Sequence, residues 1–419
     1  MSKKIYLLVG IPNEEKLQSC KELFEKYDFL ILIDNKDQYL KAKADDLFCY
    51  VERVNFNKPE SLELVINKYK DRLVAANSAG GERNVQLLEK LLPHVQFLNV
   101  PTQKALSYYT SKEKLRSLLS QTKFSPKYLQ LKTKSDLPSE KDLKFEFPVI
   151  IKPESLASSL LVTKAYTYEE LKSRVNKIFK GLNKVSNDWN KQEEVYVLVE
   201  EFIDGREYSI DGYVDKTGKI EYCPAVYIKR ATDLNIKDFY HYYRATPIVI
   251  NKAALKDLKA TLNKIISKTK LQSSSFHAEL IRTNDDRWLV VEIGARPGGY
   301  RQWMYNESYD FNHNLNDWIL KLGKKTKIRN KPKAYSSCIE IFPAKKGRIT
   351  KTVGFTKIKQ LASFKNIVVK RKKGDRAGLA NQGFKPVASI YLSHENKSQF
   401  IADRRWVMDN VFVETDKTR

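Results

Sequence analysis

The chain has 419 residues, too many for one compact core, so about two to four domains are expected. Its 42% apolar and 11% aromatic content, with aromatics spread from Tyr6 to Phe412, excludes a long disordered half. The formal charge is +25, but the lysines are distributed, and only Lys370-Arg371-Lys372-Lys373 approaches a cluster. No nucleic-acid-binding motif accompanies them, so solvated basic faces are favoured over a polyanion partner and nucleic acid is not expected. The longest apolar run, Phe29-Leu30-Ile31-Leu32-Ile33, is strand-sized and far below the ~20 residues that span a bilayer. No membrane association is expected. Pro12, Glu14 and Glu15 interrupt the N-terminal apolar run too early for a signal peptide, so a cytoplasmic location is expected. Cys20, Cys49, Cys223 and Cys338 form no CxxC pair and have no histidine at zinc spacing; each reads as a small buried side chain.

Residues 1–100 alternate apolar runs with amphipathic stretches. Strands are predicted at Ile5–Val9, Phe29–Ile33, Leu47–Val51, Arg72–Ala76 and Gln96–Val100, and helices at Glu14–Lys26, Pro59–Lys70 and Gly80–Leu92. That alternation implies βαβ units and a parallel sheet. There is no GxGxxG, so a dinucleotide role is weakly supported. A helix then runs from Pro101 to Leu119, with Thr110-Ser111 as a cap or break. A polar stretch, 132–144, leads to the strand at Phe147–Pro153. A helix at Tyr168–Phe179, a polar loop at Gly181–Lys191 and a strand at Val195–Glu200 follow. Two strands flank the turn Asp215-Lys216-Thr217-Gly218, and Ala253–Ser267 reads as a helix. Phe276–Ile281 and Trp288–Ile293 form a hairpin. From Lys331 to Arg419 short strands, glycine turns and a terminal helix near Ser398–Met408 are predicted.

The hairpin carries the sharpest chemical signal. A turn centred between Asp285 and Asp286 places Glu279 opposite Glu292. Like charges at paired positions destabilise a sheet, and here they lie among residues as apolar as Leu280 and Val291. The pair then calls for a proton or a cation between its members, and oxygen ligands with water access suit magnesium. A register off by one would instead send one glutamate to solvent. Gly294-Ala295-Arg296-Pro297-Gly298-Gly299 follows at once. Its glycines permit close backbone approach, and Arg296 offers a fork for phosphate or carboxylate.

Two further constellations accompany it. In Val199-Glu200-Glu201-Phe202-Ile203-Asp204-Gly205-Arg206-Glu207 an apolar strand runs into acidic residues and a glycine turn. Backbone groups there can meet a purine edge, and a carboxylate beyond can hold ribose hydroxyls. Lys152 ends an apolar strand and must snorkel or meet an anion. Ser155, Ser158 and Ser159, on the loop beyond, could donate to phosphate.

Taken together these pieces resemble the ATP-grasp superfamily, and within it the carboxylate–amine ligases. The matching segments appear in the family's order: Ser111-Lys112-Glu113-Lys114-Leu115-Arg116, Phe147–Pro153, Val199–Glu207, and Glu279 with Glu292–Gly299. The resemblance covers nearly the whole chain. It implies an α/β and α+β multidomain fold in four parts. A Rossmann-like N-terminal domain takes residues 1–100. A linker helix and small lid subdomain take 101–198, the large ATP-grasp subdomain with the metal site takes 199–330, and a β-rich C-terminal subdomain packing on that core takes 331–419.

The resemblance also implies roles. Lys112 and Lys152 would contact ATP phosphates, aided by Ser158 and Ser159. Glu200, Glu201 and Ile203 would line the adenine hinge, Glu207 would hold the ribose, and Glu279 and Glu292 would ligate Mg2+, with Mn2+ as an alternative. Arg296 would steady the transferred phosphoryl group or acyl-phosphate. Gly294 stands where relatives often carry Asn, which implies fewer protein ligands to one metal. The phosphate loop after Pro153 is free of glycine, which implies a stiffer loop. The expected reaction is an ATP-dependent C–N ligation through an acyl-phosphate, releasing ADP and phosphate, of the L-amino acid or dipeptide ligase type. Arg244 and the Arg296–Arg301 region are candidates for reading the small carboxylate and amine substrates. Another acceptor (bicarbonate, a purine intermediate or acidic protein tails) is one alternative, and a non-catalytic nucleic-acid binder on the same scaffold is a second. A homodimer is compatible with the sequence, which does not fix the oligomeric state.

Overall fold

A computed structural model describes residues 3–35, 48, 50–154, 160–189 and 196–416. The first segment runs β1 (Ile5–Val9), α1 (Glu14–Ser19), α2 (Lys21–Lys26), β2 (Asp28–Asp34), β3 (Tyr50–Val54), α3 (Pro59–Tyr69), β4 (Leu73–Ser78) and α4 (Glu82–Leu91). Its sheet has the order β3-β2-β1-β4, and every pairing is parallel. All five residues of β1 are buried, as expected for a parallel strand covered on both faces. The alternating α/β reading is therefore correct, with local corrections. The expected 14–26 helix breaks at Cys20, and the third strand, of which Leu47 and Cys49 lie outside the described residues, runs on to Val54. Gln96–Val100 is not a strand. There the Gln96 side chain donates to the Leu92 carbonyl and Asn99 to the Leu320 carbonyl, so polar side chains anchor a crossing segment.

The predicted 101–119 helix is two helices, α5 (Gln103–Thr110) and α6 (Lys112–Leu119). Ser111 caps the second by accepting from the Lys114 N–H at 3.1 Å. Next come β5 (Tyr128–Leu131), β6 (Val149–Pro153), β7 (Thr163–Ala165), α7 (Tyr168–Trp189) and β8 (Val197–Glu201). They form an antiparallel sheet in the order β5-β8-β6-β7 with α7 packed on it. The predicted polar loop from Gly181 is helical through Trp189. Leu182 extends the buried stripe of Leu171, Val175 and Ile178, so the apolar face continues past Gly181.

The third segment contains β9 (Arg206–Val214), β10 (Ile220–Tyr222), β11 (Val226–Arg230), β12 (His241–Thr246), α8 (Lys252–Thr269), β13 (Ser274–Arg282), β14 (Trp288–Gly294), α9 (Arg301–Tyr309) and α10 (His313–Lys321). The last contains β15 (Tyr335–Ile341), β16 (Gly347–Val353), β17 (Phe364–Val369), β18 (Arg376–Ala377), β19 (Ala388–His394), α11 (Lys397–Asn410) and β20 (Phe412–Thr415). One large sheet joins both, in the order β14-β13-β9-β11-β12-β15-β19-β17 with β10 on β9, while β18-β16-β20 form a small sheet. The C-terminal segment is thus hydrogen-bonded into the same sheet that carries the Glu279 hairpin. The first sheet is fastened to it through α10: Trp318 is fully buried against Tyr6 and Phe29, and the Tyr6 hydroxyl donates to the Trp318 carbonyl at 2.9 Å. Among the described residues no helix is long and apolar enough to cross a membrane.

Gly205 makes the turn from β8 to β9 with φ +143°, and a Cβ there would collide with the Arg282 carbonyl. Both the conformation and the backbone contact exclude a side chain. Gly205→Ala is expected to cost more than about 1 kcal/mol, seen in urea unfolding as a lower midpoint at unchanged slope. An unshifted midpoint would contradict this packing.

Candidate active site

One crevice, between the β5–β8 sheet, α6 and the β9–β13–β14 part of the large sheet, brings together the described candidates. At its first end β6 pairs with β8 so that Ile150 faces Glu200. Lys152, two residues on, shares that face. The Lys152 ammonium lies 2.8 Å from Glu200 Oε2, and Arg116 Nε of α6 donates to Glu200 Oε1 at 2.8 Å. Burial alone would raise the Glu200 carboxyl, but the charges of Arg116 and Lys152 prevail and bring it from 4.5 to about 2. Lys152 moves down, because burial and the nearby cations Arg116 and Lys112 outweigh the single carboxylate. Arg116 Nη1 is also buried with no acceptor among the described residues. Lys112, at the start of α6, donates to the Glu154 carbonyl at 3.0 Å, and Ser111 Oγ donates to the Glu154 carboxylate at 2.7 Å. These bonds tie the end of β6 to α6.

The adjoining hinge is arranged differently from the expectation. Glu200 turns its carboxylate into the cation cluster. The Glu201 N–H donates to the Lys127 carbonyl at 3.0 Å, and its carboxylate accepts from the Lys127 N–H at 3.0 Å. Glu201 therefore does not present its N–H to a ligand. Phe202 N–H is taken by the Pro148 carbonyl, whereas the Ile203 N–H has no acceptor among the described residues.

At the crevice's other end the hairpin places Glu279 opposite Glu292, by a route the sequence does not show. Arg282 pairs with Trp288 and Leu280 with Val290, a register in which Glu279 would meet Val291. A bulge at Val291 shifts the pairing by one residue. The bulge is held from outside: Val290 N–H donates to the Phe124 carbonyl at 2.8 Å, and Arg116 Nη2 donates to the Val291 carbonyl at 2.8 Å. One arginine thus serves both Glu200 and the carboxylate pair.

Repulsion between the two glutamates is relieved by more than the sequence shows. His277, on the same strand face, has Nε2 3.1 Å from Glu279 Oε1, and His241 Nδ1 lies 3.8 Å away. Burial would raise the Glu279 carboxyl, but His241, His277 and Arg244 outweigh it and hold it well below the usual carboxylate range. The pair therefore does not by itself require a metal. Behind His277 stands Asp211, fully buried. Its carboxylate meets His277 Nδ1 at 2.7 Å and His313 Nε2 at 2.9 Å, and accepts from the Gly298 N–H at 2.7 Å. Glu207 is buried beside them. His241 Nε2 lies 3.1 Å from its Oε1 but off hydrogen-bond geometry, leaving that oxygen without a donor among the described residues. Glu207, His241 and Glu279 bring ligand atoms within 4.8 Å of one another. With Glu292 opposite, this set is rich in carboxylate oxygen, fits a hard divalent cation, and leaves an orphan acceptor for a hydroxyl.

Arg296 is gripped by Glu82, at the start of α4, through its Nε at 2.8 Å and through Nη2. A cavity of about 30 Å3 is lined by Glu82, Lys112, Arg116 and Glu292, so Lys112 and Glu292 share one space. Ser155, Ser158 and Ser159, on the glycine-free loop, lie outside the described residues. Arg301 is buried, with Nη2 bonded to Ser209 and Nη1 to the Gly299 carbonyl. Arg244 is paired with Glu340 at 3.1 Å and lies over the Tyr300 ring. Cys20, Cys223 and Cys338 are buried free thiols pushed up by burial; Cys49 lies outside the described residues.

Sequence reasoning missed Arg116, Glu82, His241 and Asp211. His277 was within reach, since His-x-Glu on a strand puts both side chains on one face. The others meet the site only through tertiary packing.

Residues 145–303 match the family model of the ATP-grasp domain. The chain is 25% identical over 331 residues to a D-alanine--D-alanine ligase of a Nitratiruptor species, covering 74% of this chain and 89% of that one. The crystal structure of an L-amino acid ligase from Bacillus licheniformis superposes with a TM-score of 0.78 at 17% identity, covering 100% of both chains. An N5-carboxyaminoimidazole synthetase from Staphylococcus aureus, solved in complex with ADP, superposes with a TM-score of 0.68 at 12% identity over 97% of each chain. These structural likenesses establish the fold.

Glu200→Gln is expected to leave Arg116 and Lys152 uncompensated and to cost about 3–5 kcal/mol in urea unfolding. Because Glu200 is depressed in the folded protein, its contribution is complete above pH 4.5 and is lost as pH falls toward about 2. The variant should therefore lose less stability over that acid window than the wild type, and parallel acid profiles would contradict the assignment.

Proposed function

The chain belongs to the ATP-grasp superfamily and is an ATP-dependent ligase forming C–N bonds, and from that premise we propose that it joins a small carboxylic acid of the amino-acid class to an amine. The observation that carries this reading is the arrangement of charges around one crevice. Two cations, Lys152 and Arg116, share the single Glu200 carboxylate; Arg116 spans to the Val291 carbonyl beside the Glu279–Glu292 pair; and Glu292 shares a cavity with Lys112 and with Glu82, the partner of Arg296.

In this reading Lys152 and Lys112 bind the phosphates of ATP, a polyanion complementary to their positive charge. The Ile203 N–H meets the purine edge, replacing the donor that Glu201 does not offer. The orphan oxygen of Glu207 accepts from a ribose hydroxyl. Glu279 and Glu292 hold magnesium, with Asp211 and His277 fixing Glu279. When bound, the metal neutralises charge on the phosphates. Arg296 already grips a carboxylate, that of Glu82, and exchanges it for the substrate carboxylate or the acyl-phosphate. The carboxylate oxygen attacks the γ-phosphorus, and the bond to the β-phosphate oxygen breaks to release ADP. The amine then attacks the acyl carbon, which expels phosphate, and the nitrogen loses a proton as the amide forms. The small β5–β8 sheet with α7 covers the nucleotide side and keeps water from the acyl-phosphate.

A screen of amino-acid pairs for ATP-dependent phosphate release, followed by mass measurement of the product, tests the substrate class. Turnover with bicarbonate or acidic peptides, and none with amino acids, would overturn it. Glu292→Gln is expected to lower ADP formation about 100-fold or more with an unchanged melting temperature, because the residue is partly exposed at the crevice. Undiminished turnover would remove Glu292 from the metal site.

A further inference from the structure

The opposite face of the large sheet carries a second cleft. α8 covers one part of this face, where Trp288 Nε1 donates to the Ala254 carbonyl. α11 covers another, packing on β15 and β19. Between them the strip formed by β9, β11 and β12 is left open. It floors a cavity of about 390 Å3, walled by α11 on one side and by Pro247-Ile248-Val249 on the other. That volume is in the range of small-molecule sites.

The floor is aromatic. Tyr208 and Tyr227 line it edge to face at 5.7 Å, and buried Trp288 and Tyr243 continue the row on either side, with centroids 5.6 and 6.0 Å away. The rim is cationic: Arg206, Lys229, Lys397 and Arg404 line the cavity and no acidic residue does. None of the four is ion-paired with a described carboxylate. Arg404 lies 4.5 Å from the Tyr243 ring centroid, with its charge directed over an aromatic face. Val249, 83% exposed, extends the apolar edge. Strand alternation separates this cleft from the catalytic crevice: Arg206 and Tyr208 face it, while Glu207, Ser209 and Asp211 face the other way.

We propose that this cleft is a second ligand site, for a small aromatic anion: a planar ring bearing a carboxylate, sulfonate or phosphate. The ring packs against Tyr208, Tyr227 and Phe400, where aromatic edges and faces are offered. The anionic group is held among Arg206, Lys229 and Lys397, whose charges are otherwise unmatched. The cleft is too small for a folded partner, and its single-sign rim selects against cations and neutral rings. This assignment does not depend on the ligase chemistry.

Titration of the full chain with 8-anilinonaphthalene-1-sulfonate, followed by its fluorescence, tests the site in paired runs with and without saturating MgATP. One saturable site is expected, with the same affinity in both runs. Lys229→Glu and Lys397→Glu should each weaken binding at least tenfold at low ionic strength while leaving the melting temperature unchanged. Lys397 lies on the exposed first turn of α11, so that variant reads charge alone. Unsaturable binding, displacement of the probe by MgATP, or equal affinity in the folded charge-reversal variants would each overturn the proposal.

Discussion

Asp211 sits in the middle of β9 with no exposed surface, where an unpaired carboxylate could not persist. It is satisfied by two imidazoles and a backbone N–H, and those partners come from three parts of the chain. His277 belongs to β13 and reaches Glu279. Gly298 belongs to the loop that carries Arg296. His313 opens α10, the helix whose Trp318 seals the first sheet. Burial would raise Asp211, yet His277 and His313 hold it well below the usual range, so the charge is permanent at physiological pH. The Glu279 carboxylate, the Arg296 loop and the docking of the N-terminal sheet therefore share one electrostatic anchor.

Around that anchor the crevice is built from mismatched charge. The Arg116–Glu200–Lys152 cluster carries one carboxylate for two cations, with Lys112 nearby, and its surplus is what a nucleotide phosphate would offset. Arg116 then spans to the Val291 carbonyl and supports the bulge that sets Glu292 opposite Glu279. The Glu200 cluster and the carboxylate pair are thus mechanically linked through one fully buried side chain. Glu82, from the N-terminal segment, occupies Arg296 and lines one cavity with Arg116 and Glu292. The Arg296–Glu82 contact thus ties the first sheet to the hairpin.

Local patterns were legible in the sequence, and tertiary partners were not. Apolar runs with period two located β13 and β14, and the four segments in order indicated the ATP-grasp fold. Glu279 does face Glu292, yet the inference reached that pair with the wrong turn, because a bulge held by Phe124 and Arg116 cannot be read from the hairpin alone. Gln96–Val100 had strand-like composition, but its side chains bond elsewhere. Glu200 looked like a hinge residue because its partner Arg116 is 84 positions away. Arg296 looked free because Glu82 is 214 positions away. The demand for a cation between the glutamates overlooked His277, two residues before Glu279 on the same strand face, and His241, which reaches Glu279 from β12 only through the folded sheet.

The central claim is that this crevice binds ATP together with a divalent ion on Glu279 and Glu292. Isothermal titration of the wild-type chain with ATP, in magnesium and again in EDTA, tests it most directly. Binding of one ATP per chain, tightened at least tenfold by magnesium, is the predicted result. ATP affinity that is the same in EDTA, or no ATP binding at all, would contradict it.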